Sequence, residues 1–399
     1  MKQTSQTLDS FELSESAQSI QWRLTKVISD KIKQAGGQIS FAKYMNMALY
    51  QQNLGYYKNE LQTFGEKGDF ITAPEMGQYF ALCIANSIGP MFENSCTSQE
   101  SVILEIGAGS GVLAVNLLQA LAQSNALPSQ YLILEPSASL QQQQKERINQ
   151  CSEAIKNRVV WISELPEKVN GVILANEVVD AMPVERIQKI DEQWFELGVT
   201  ENNGQFENVA MNPADMERIP KILSEPEEQS VFVEGYTTEF RSVIKGWIKS
   251  LAASLNSGVI LLFDYGYAAA EFYHPQRVAG TLNCFIRHHQ HADPFQFVGL
   301  QDITAHVDFS QIAVEANKNQ LTVSGFTTQA GFLLENGITE FAEQQVTDQP
   351  PEVRYQRSQE MQKLLMPGQM GEVVKVILLT KSLKTEIKGF SMQDHLHRL

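Results

Sequence analysis

From residue 101 onward the sequence alternates short apolar runs with helical stretches, and this alternation constrains the fold more than any other feature. Strands are predicted over residues 102–106, 131–134, 159–162, 171–175 and 259–263. Helices are predicted between the first three strands, over residues 113–123 and 140–149. Short apolar runs separated by helices are typical of βαβ units, whose right-handed crossovers build a doubly wound parallel sheet.

Two later segments, residues 321–326 and 373–379, are also strand-like and complete the pattern. If they pair with each other, they form an antiparallel edge on an otherwise parallel sheet. We therefore predict an α/β fold with a seven-stranded mixed sheet and helices on both of its faces. A helical segment is predicted to precede the sheet, with helices over residues 19–35 and 41–51.

Two stretches interrupt the alternation, residues 184–257 and 265–303, and both follow the end of a predicted strand. In open α/β sheets, ligands bind beyond the carboxyl ends of the strands. We therefore predict that these insertions form a subdomain that covers the site and selects the substrate. The core would then comprise residues 99–183 and 258–380, and residues 1–98 would supply the N-terminal helical segment and a loop at the active site.

A glycine-rich loop containing Gly107, Gly109 and Gly111 follows the first strand and opens a helix. Glycines let a backbone turn tightly and approach a ligand, and a helix N-terminus offers unpaired N–H groups. The nicotinamide-binding fingerprint requires a glycine at position 112, which is valine here. Glu105, just before the loop, is suited to pairing with an aminoacyl ammonium group. By itself, the loop is equally well explained as a tight turn between a strand and a helix.

Glu135 ends the second strand, where a carboxylate can accept hydrogen bonds from both hydroxyls of a ribose. Ser163 and Glu164 follow the third strand and are suited to contact an adenine, although they could equally cap a helix. Because these elements follow successive strand ends, they are expected to share one crevice. Glu105 and Glu135 together favour a nucleoside pocket over a purely structural turn.

The formal net charge of −15 disfavours binding to nucleic acid, whose phosphates would be repelled. It is compatible with a cationic partner, such as an arginine-bearing protein segment, but acidity can also simply keep a chain soluble. No apolar run approaches the length that spans a membrane, and the polar N-terminus lacks the features of a signal peptide. The four cysteines are widely spaced, which argues against a disulfide framework. We therefore expect a cytoplasmic protein with neither nucleic acid nor membrane as partner.

Further motifs, spread from about residue 40 to residue 380, are long and unusual. They are GYY at 55–57, GDFITAPE at 68–75, NEVVDAMP at 176–183, DYG at 264–266, GTL at 280–282, DITAHVDF at 302–309, Met370-Gly371 and Val374-Lys375. Together they resemble the signatures of the MidA family, which includes the mitochondrial complex I assembly methyltransferases. One departure is Ser-Gly-Val-Leu at 110–113, where many members have Arg-Gly-Thr-Leu.

The resemblance implies a Rossmann-like class I methyltransferase fold with S-adenosyl-L-methionine as the cofactor. It also implies that the methyl acceptor is arginine in a protein substrate. In the mitochondrial members the product is symmetric dimethylarginine on a subunit of the respiratory NADH dehydrogenase. This target carries over only weakly to bacterial members, so the acceptor protein and its methylation pattern stay open, as does a homodimeric state.

The candidates for acceptor binding and catalysis are Glu177, Asp180 and Asp264. Acceptor-only carboxylates can hold a planar guanidinium in a bidentate manner. A structural role is also open for each of them: Glu177 could support the cofactor together with Asn176, Asp180 could cap a helix, and Asp264 could belong to a turn that ends a strand. In the motif at 68–75, we assign Asp69, Thr72 and Glu75 to the cofactor site, although they could instead stabilise their own loop.

Histidines supply weaker candidates. His306 could accept a proton, but a structural role is the better interpretation, and Asp308 would favour a helix N-terminus. His288, His289 and His291 lack a cysteine or carboxylate at ligand spacing, so we predict no metal site and a loop covering the acceptor groove. Three hypotheses remain: a methyltransferase, an assembly or binding protein of the same fold with weak catalysis, and a nicotinamide oxidoreductase, which Val112 disfavours.

Overall fold

The structure, a computed structural model, describes residues 12–59, 61, 72–93, 101–225, 231–346, 350–383 and 385–399. The strands in chain order are β1 (Gln38–Ser40), β2 (Val102–Ile106), β3 (Gln130–Leu134), β4 (Val159–Ile162), β5 (Val169–Asn176), β6 (Glu185–Ile190), β7 (Gln193–Asn202), β8 (Gln205–Pro213), β9 (Thr237–Phe240), β10 (Leu255–Tyr267), β11 (Asn283–Ile286), β12 (His289–His291), β13 (Asp302–Thr304), β14 (Val307–Asp308), β15 (Thr322–Thr328) and β16 (Val374–Lys381).

The helices include several single turns. They are α1 (Glu15–Gln34), α2 (Phe41–Tyr50), α3 (Ala73–Met76), α4 (Tyr79–Ile88), α5 (Val112–Gln123), α6 (Ala138–Ile148), α7 (Glu153–Lys156), α8 (Lys221–Ser224), α9 (Val243–Ser254), α10 (Ala269–Phe272), α11 (Phe309–Lys318), α12 (Gln329–Glu335), α13 (Ile338–Val346), α14 (Pro351–Leu365) and α15 (Met370–Val373), with 3-10 turns at Gly89–Met91 and Leu396–Arg398. Among the described residues, no helix is both long and apolar enough to cross a bilayer.

The central sheet has the strand order β15-β16-β10-β5-β2-β3-β4. Strands β10, β5, β2, β3 and β4 are parallel, whereas β16 pairs antiparallel with both β10 and β15. This confirms the predicted seven-stranded mixed sheet of a class I methyltransferase fold. The structure adds the short strand β14, which pairs with the extended end of β10.

Helices cover both faces of this sheet because its strands are apolar on both sides. Along β2, Ile103 packs with α4 and α5 on one face, whereas Leu104 packs with α9 and α11 on the other. Helix α9 thus lies on the core sheet, although the sequence placed it in the first insertion. The sequence pattern also predicts a helix around residues 239–255 within that insertion, but the helix begins only at Val243, because residues Thr237–Phe240 form strand β9.

The inserted segments build two further sheets. One has the order β1-β7-β6-β9, with β8 on the other edge of β7, and the other has the order β12-β11-β13. Strand β1, which the sequence analysis did not identify, joins the first of them through the pair Ile39 and Val199. A separate apolar cluster unites α1 and α2 with side chains of these sheets. The N-terminal helices therefore pack on the insertions beside the site.

Candidate functional site

A cavity of about 400 Å³ lies at the carboxyl ends of β2, β3 and β5. This is where an open α/β sheet is expected to bind its ligand. Seven residues assigned to the site from sequence line it: Thr72, Gly107, Gly109, Glu135, Ser163, Glu177 and Asp180. The structure thus brings together residues that are more than 100 positions apart in the sequence.

The glycine loop forms the wall between β2 and α5. Gly107 and Gly109 have φ values of 67° and 53°, in the left-handed region that favours glycine. A Cβ atom on Gly107 would lie 3.1 Å from Val178 Cγ2, so the loop also leaves little room for a side chain. Gly111 is the N-cap of α5 and contributes no side-chain cap, and it does not line the cavity.

Glu135 lines the cavity next to the glycine loop, and residues that follow it closely in the sequence hold its buried carboxylate in place. Oε1 accepts a hydrogen bond from Ser137 N at 2.9 Å, and Oε2 accepts one from Gln144 Nε2 at 3.4 Å. Burial raises the pKa of Glu135, while these hydrogen bonds and Lys58 lower it. The same Gln144 amide donates to Gly109 O at 2.8 Å, which links the carboxylate to the glycine loop.

Glu105 is not placed to make the contact with the cofactor that the sequence predicts. Successive side chains of a strand point to opposite faces, so Glu105 points to the same face of β2 as Ile103. There its carboxylate accepts a hydrogen bond from the Tyr131 hydroxyl at 2.7 Å, and burial raises its pKa to about 7. Glu105 does not line the cavity and supports the strand beneath the loop.

Glu75, Asn176 and Glu164, which the sequence also assigned to the cofactor, do not line the cavity. Glu75 accepts a hydrogen bond from the Ser110 hydroxyl and so buttresses the glycine loop. Asn176 donates from Nδ2 to Glu177 Oε1 at 3.2 Å, and Glu164 is exposed. Asp69 lies outside the described residues, so its assignment is neither supported nor opposed.

Glu177 directly follows β5 and has a φ of 51°, which is rare for a residue with a side chain. Such strain is often found at functional sites. Oε1 accepts a hydrogen bond from Ala73 N at 3.3 Å, whereas the buried Oε2 has no hydrogen-bond partner among the described residues. Burial and the nearby Asp180 raise the pKa of Glu177 to about 8.

Asp264 does not line the cavity, although the sequence made it a candidate for contact with the acceptor. Its Oδ2 atom accepts hydrogen bonds from the backbone nitrogens of Val178 (3.2 Å), Val179 (2.8 Å) and Asp180 (3.3 Å). Oδ1 accepts another from Tyr265 N at 2.8 Å. These contacts fix the turn that carries Glu177, so Asp264 is placed as a positioning residue.

The cavity also contains residues to which the sequence analysis gave no role. Tyr50 and Tyr57 stack with their ring centroids 5.4 Å apart. The Tyr57 hydroxyl donates to Asp302 Oδ1 at 2.8 Å, and the Tyr50 hydroxyl donates to Ala181 O at 3.0 Å. Tyr57 and Asp302 both belong to the motifs of the family resemblance, and that was the one signal in the sequence that pointed to them.

Asp180 is buried beside Asp302 and lines the same cavity. Burial raises the pKa of Asp180, and the nearby Arg241 guanidinium lowers it. Arg241 donates to four backbone oxygens, those of Asp180, Met182, Ala305 and His306. Arg241 therefore joins the loop after β5 to the segment after β13.

The histidines lie in two different environments. His288, His289 and His291 belong to the β11–β12 hairpin, and none of them lines the cavity. Within the described ranges, no group of three or more His, Cys, Asp or Glu side chains is arranged to hold a metal. His306 precedes β14, and Asp308 caps α11 by accepting a hydrogen bond from Gln311 N at 3.2 Å.

The residues that line the cavity fit a nucleoside-containing cofactor. The glycine backbone provides a surface that a Cβ would obstruct, and Glu135 places a carboxylate acceptor beside it. The open N-terminus of α5 lies next to this surface. Beyond it, the cavity is lined by the carboxyl groups of Glu177, Asp180 and Asp302.

Comparisons with known proteins agree with this geometry. A model of a family of S-adenosyl-L-methionine-dependent methyltransferases matches residues 83–327. A protein from Burkholderia thailandensis, crystallised with S-adenosyl-homocysteine, is 34% identical, with a TM-score of 0.90 over 98% of this chain and 100% of that one. The cofactor that the resemblance implied is thereby confirmed as S-adenosyl-L-methionine, and the nicotinamide hypothesis is wrong.

Two curated relatives are the mitochondrial protein arginine methyltransferases NDUFAF7 of Danio rerio and Homo sapiens, each 28% identical to this chain. The matches cover 90% of this chain and 86% of the fish protein, and 86% of this chain and 80% of the human protein. Their mitochondrial location contradicts the expectation of a cytoplasmic protein. Because the matched residues 83–327 make up more than half of the sequence and include the glycine loop and Glu177, the chain belongs to the S-adenosyl-L-methionine-dependent methyltransferase family.

Proposed function

We propose that this enzyme methylates a guanidinium nitrogen of arginine in a protein substrate. The observation that carries the proposal is Glu177, a carboxylate held in a strained backbone conformation at the cavity with a buried oxygen that lacks a partner among the described residues. The relatives named as protein arginine methyltransferases support the same acceptor. Subunits of the respiratory NADH dehydrogenase are the first proteins to test, since the family resemblance implies them.

An arginine side chain suits this cavity on grounds of charge. A guanidinium is planar and always cationic, and it donates hydrogen bonds in a fixed fork that matches carboxylates. Oε2 of Glu177 offers an acceptor, and the buried carboxylates of Asp180 and Asp302 add negative charge nearby. A cation entering the cavity would also favour the ionised form of Glu177, whose pKa burial has raised to about 8.

The other site residues take the following roles in this proposal. Gly107, Gly109 and Glu135 bind the cofactor, together with Thr72 and Ser163 at the edges of the cavity. A second group of residues does not line the cavity but positions the residues that contact ligands. Its members are Glu75, Glu105, Gly111, Asn176 and Asp264. Asp180 belongs with Glu177 on the acceptor side.

When bound, S-adenosyl-L-methionine supplies a methyl group whose bond to sulfur breaks, with the electron pair staying on sulfur, as the bond to the acceptor nitrogen forms. Glu177 would orient that nitrogen, because a hydrogen-bonded guanidinium cannot rotate away from the line of displacement. The proton released from the nitrogen passes to a carboxylate, and Glu177 is suited to receive it because it lies at the acceptor and its burial favours the protonated form. The tyrosines of the cavity help to exclude water.

A labelling experiment tests this proposal. The purified enzyme is incubated with tritiated S-adenosyl-L-methionine and a lysate from cells that lack the endogenous enzyme, and the labelled band is analysed by mass spectrometry. We expect label on arginine, and a loss of about 100-fold in rate for Glu177→Gln with binding of S-adenosyl-homocysteine retained. Glu207→Gln, which makes the same chemical change at an exposed position of β8, is the matched control. Label on another residue type, or normal rates with Glu177→Gln, would refute the assignment.

A further inference from the structure

A second, smaller chamber of about 50 Å³ adjoins the cofactor cavity. Asp180 and Asp302 line both spaces, so these two carboxylates stand at the boundary between them. The far wall of the small chamber includes Tyr265, Phe285 and His306. It comes from segments at or near the ends of β10, β11 and β13, of which β11 and β13 belong to the inserted three-stranded sheet.

We propose that this chamber is the acceptor pocket, that it receives a planar cation of the guanidinium class, and that Asp302 is a substrate-binding residue in it. The inference rests on the proposed function and deepens it, because it says where the acceptor side chain lies and which carboxylates grip it. Asp180 and Asp302 would hold the guanidinium at the boundary, with the reacting nitrogen facing Glu177 and the cofactor.

The placement of Asp302 supports a role in binding rather than in folding alone. Its carboxylate is buried at the boundary and accepts a hydrogen bond from Tyr57 at 2.8 Å. The Tyr57 ring in turn stacks on Tyr50, which is bonded to Ala181 in the loop after β5. Arg241 thus holds the backbone of Asp180, and Tyr57 holds the carboxylate of Asp302. Two carboxylates on such fixed positions match a guanidinium fork better than a rotating ammonium group.

The far wall is compatible with a cation of this shape. Tyr265 and His306 both line the chamber, and their rings are nearly parallel, with an angle of 22° and centroids 6.4 Å apart. Arginine stacks favourably on aromatic rings. Burial and the cations Arg277, Arg241 and Lys375 lower the pKa of His306 to about 4. His306 is therefore neutral at pH 7 and does not repel a guanidinium. Its buried Nδ1 atom has no hydrogen-bond partner in the described part of the chain.

Binding of a small probe tests the proposal without knowledge of the protein substrate. The full chain, saturated with S-adenosyl-homocysteine, is titrated with Nα-acetyl-arginine amide carrying a ¹³C-labelled guanidino carbon, and the dissociation constant is measured by NMR. We expect measurable binding by the wild type and weaker binding of Nα-acetyl-lysine amide. Asp302→Asn should weaken arginine-probe binding by about tenfold or more. Tyr57→Phe, which removes one hydrogen bond to Asp302, should weaken it by about threefold.

Two control variants distinguish a loss of probe binding in this pocket from a folding defect. Asp191→Asn makes the same chemical change at an exposed turn, and Tyr355→Phe removes a hydroxyl from an exposed ring, so both should leave probe binding unchanged. Circular dichroism spectra like that of the wild type should show that all four variants keep the fold; this measurement does not depend on the cofactor cavity that Tyr57 and Asp302 line. Tyr57→Phe is the milder variant and decides the outcome should Asp302→Asn fail to fold.

The proposal and the proposed function can fail separately. If the wild type does not bind the arginine probe, or if Asp302→Asn and Tyr57→Phe bind it normally, the pocket assignment is overturned. Arginine labelling in lysate proteins could still occur in that case and would leave the proposed function standing. Labelling of a different residue type would refute the proposed function, whatever the probe does.

Discussion

The Oδ2 atom of Asp264 lies 2.8 Å from the backbone nitrogen of Val179 and accepts hydrogen bonds from both neighbouring nitrogens as well. These three donors belong to the turn that holds Glu177 at a φ of 51°. Because an unsatisfied buried donor costs about 1–3 kcal/mol, we predict that Asp264→Ala lowers the free energy of unfolding by about 2–4 kcal/mol. Chemical denaturation of the two proteins measures the difference.

The same substitution should also affect catalysis, because the turn would no longer fix Glu177. We expect the rate of methyl transfer to fall more than the affinity for S-adenosyl-homocysteine. Asp264→Asn keeps an oxygen acceptor and should restore part of both the stability and the rate. An Asp264→Ala enzyme with wild-type stability would show that the backbone of this turn is held by other contacts.

Gly107→Ala is predicted to weaken binding of S-adenosyl-homocysteine by about tenfold or more. Its backbone has a φ of 67°, and the added Cβ would lie 3.1 Å from Val178. A left-handed conformation costs a residue with a side chain about 1–2 kcal/mol, and any shift of the loop changes the surface that approaches the cofactor. Calorimetry measures the affinity.

The matched control is Gly204→Ala, in the turn between β7 and β8. Gly204 has a φ of 80°, but an added Cβ would have no neighbour within 4 Å. The control should therefore lose a similar amount of stability and keep its affinity for the cofactor. If both variants bind S-adenosyl-homocysteine equally well, the close approach of the Gly107 backbone to the cofactor is unimportant for binding.

Glu135 and Glu105 offer a direct comparison between two carboxylates that the sequence placed in the same pocket. Only Glu135 lines the cavity, whereas Glu105 is bonded to Tyr131 on the other side of the strand. Glu135→Gln should weaken S-adenosyl-homocysteine binding by about tenfold, since hydrogen bonds to a charged group are worth about 1.5–3 kcal/mol. Glu105→Gln should change the affinity by less than about threefold. If calorimetry shows a larger loss of affinity for Glu105→Gln than for Glu135→Gln, Glu105 contacts the cofactor directly.

The core sheet could be predicted because its strands carry their own signal: apolar runs at regular spacing with helices between them. Strand β9 lacked that signal, since its fully buried Glu239 is polar. Glu239 is tolerated there because it accepts a hydrogen bond from Thr281 N at 2.8 Å and pairs with Arg186 at 3.5 Å. These partners are distant in the sequence, so the residues around Glu239 alone give no apolar pattern that would predict a strand.

The site shows the same limit. The places of the glycine loop, Glu135 and Glu177 at the cavity could be predicted because these residues follow strand ends. The Tyr57–Asp302 hydrogen bond joins residues 245 positions apart, and nothing in the local pattern pairs them. The alternation of side chains along β2 could have separated Glu105 from the pocket, because Glu105 shares the face of Ile103.

The activity is predicted to depend on pH through Glu177. Burial and Asp180 raise its pKa to about 8, and the carboxylate must be ionised to hold a cation. We therefore expect kcat/KM to rise with pH up to about pH 8 and then to level off, because kcat/KM reports ionisations of the free enzyme. In Glu177→Gln the residual activity should lack this rise. A wild-type profile that is flat from about pH 6 to about pH 9 would contradict the assignment.

Glu177 should also make stability depend on pH, in a direction opposite to that of most carboxylates. Its pKa in the folded chain, about 8, lies above the ordinary value of 4.5, so folding favours the protonated form. The resulting stabilisation is fully present below about pH 4.5 and is lost as the pH rises through about 8. Because glutamine does not titrate, the unfolding temperature of Glu177→Gln minus that of the wild type should be larger at pH 9 than at pH 5. Scanning calorimetry without ligand measures this difference at each pH. Glu105 titrates in both proteins, so its effect largely cancels. Asp180 and Asp264 interact electrostatically with Glu177, and removal of the Glu177 charge favours their ionised forms, which shifts the difference in the same direction. Equal differences at the two pH values would show that Glu177 is ionised throughout.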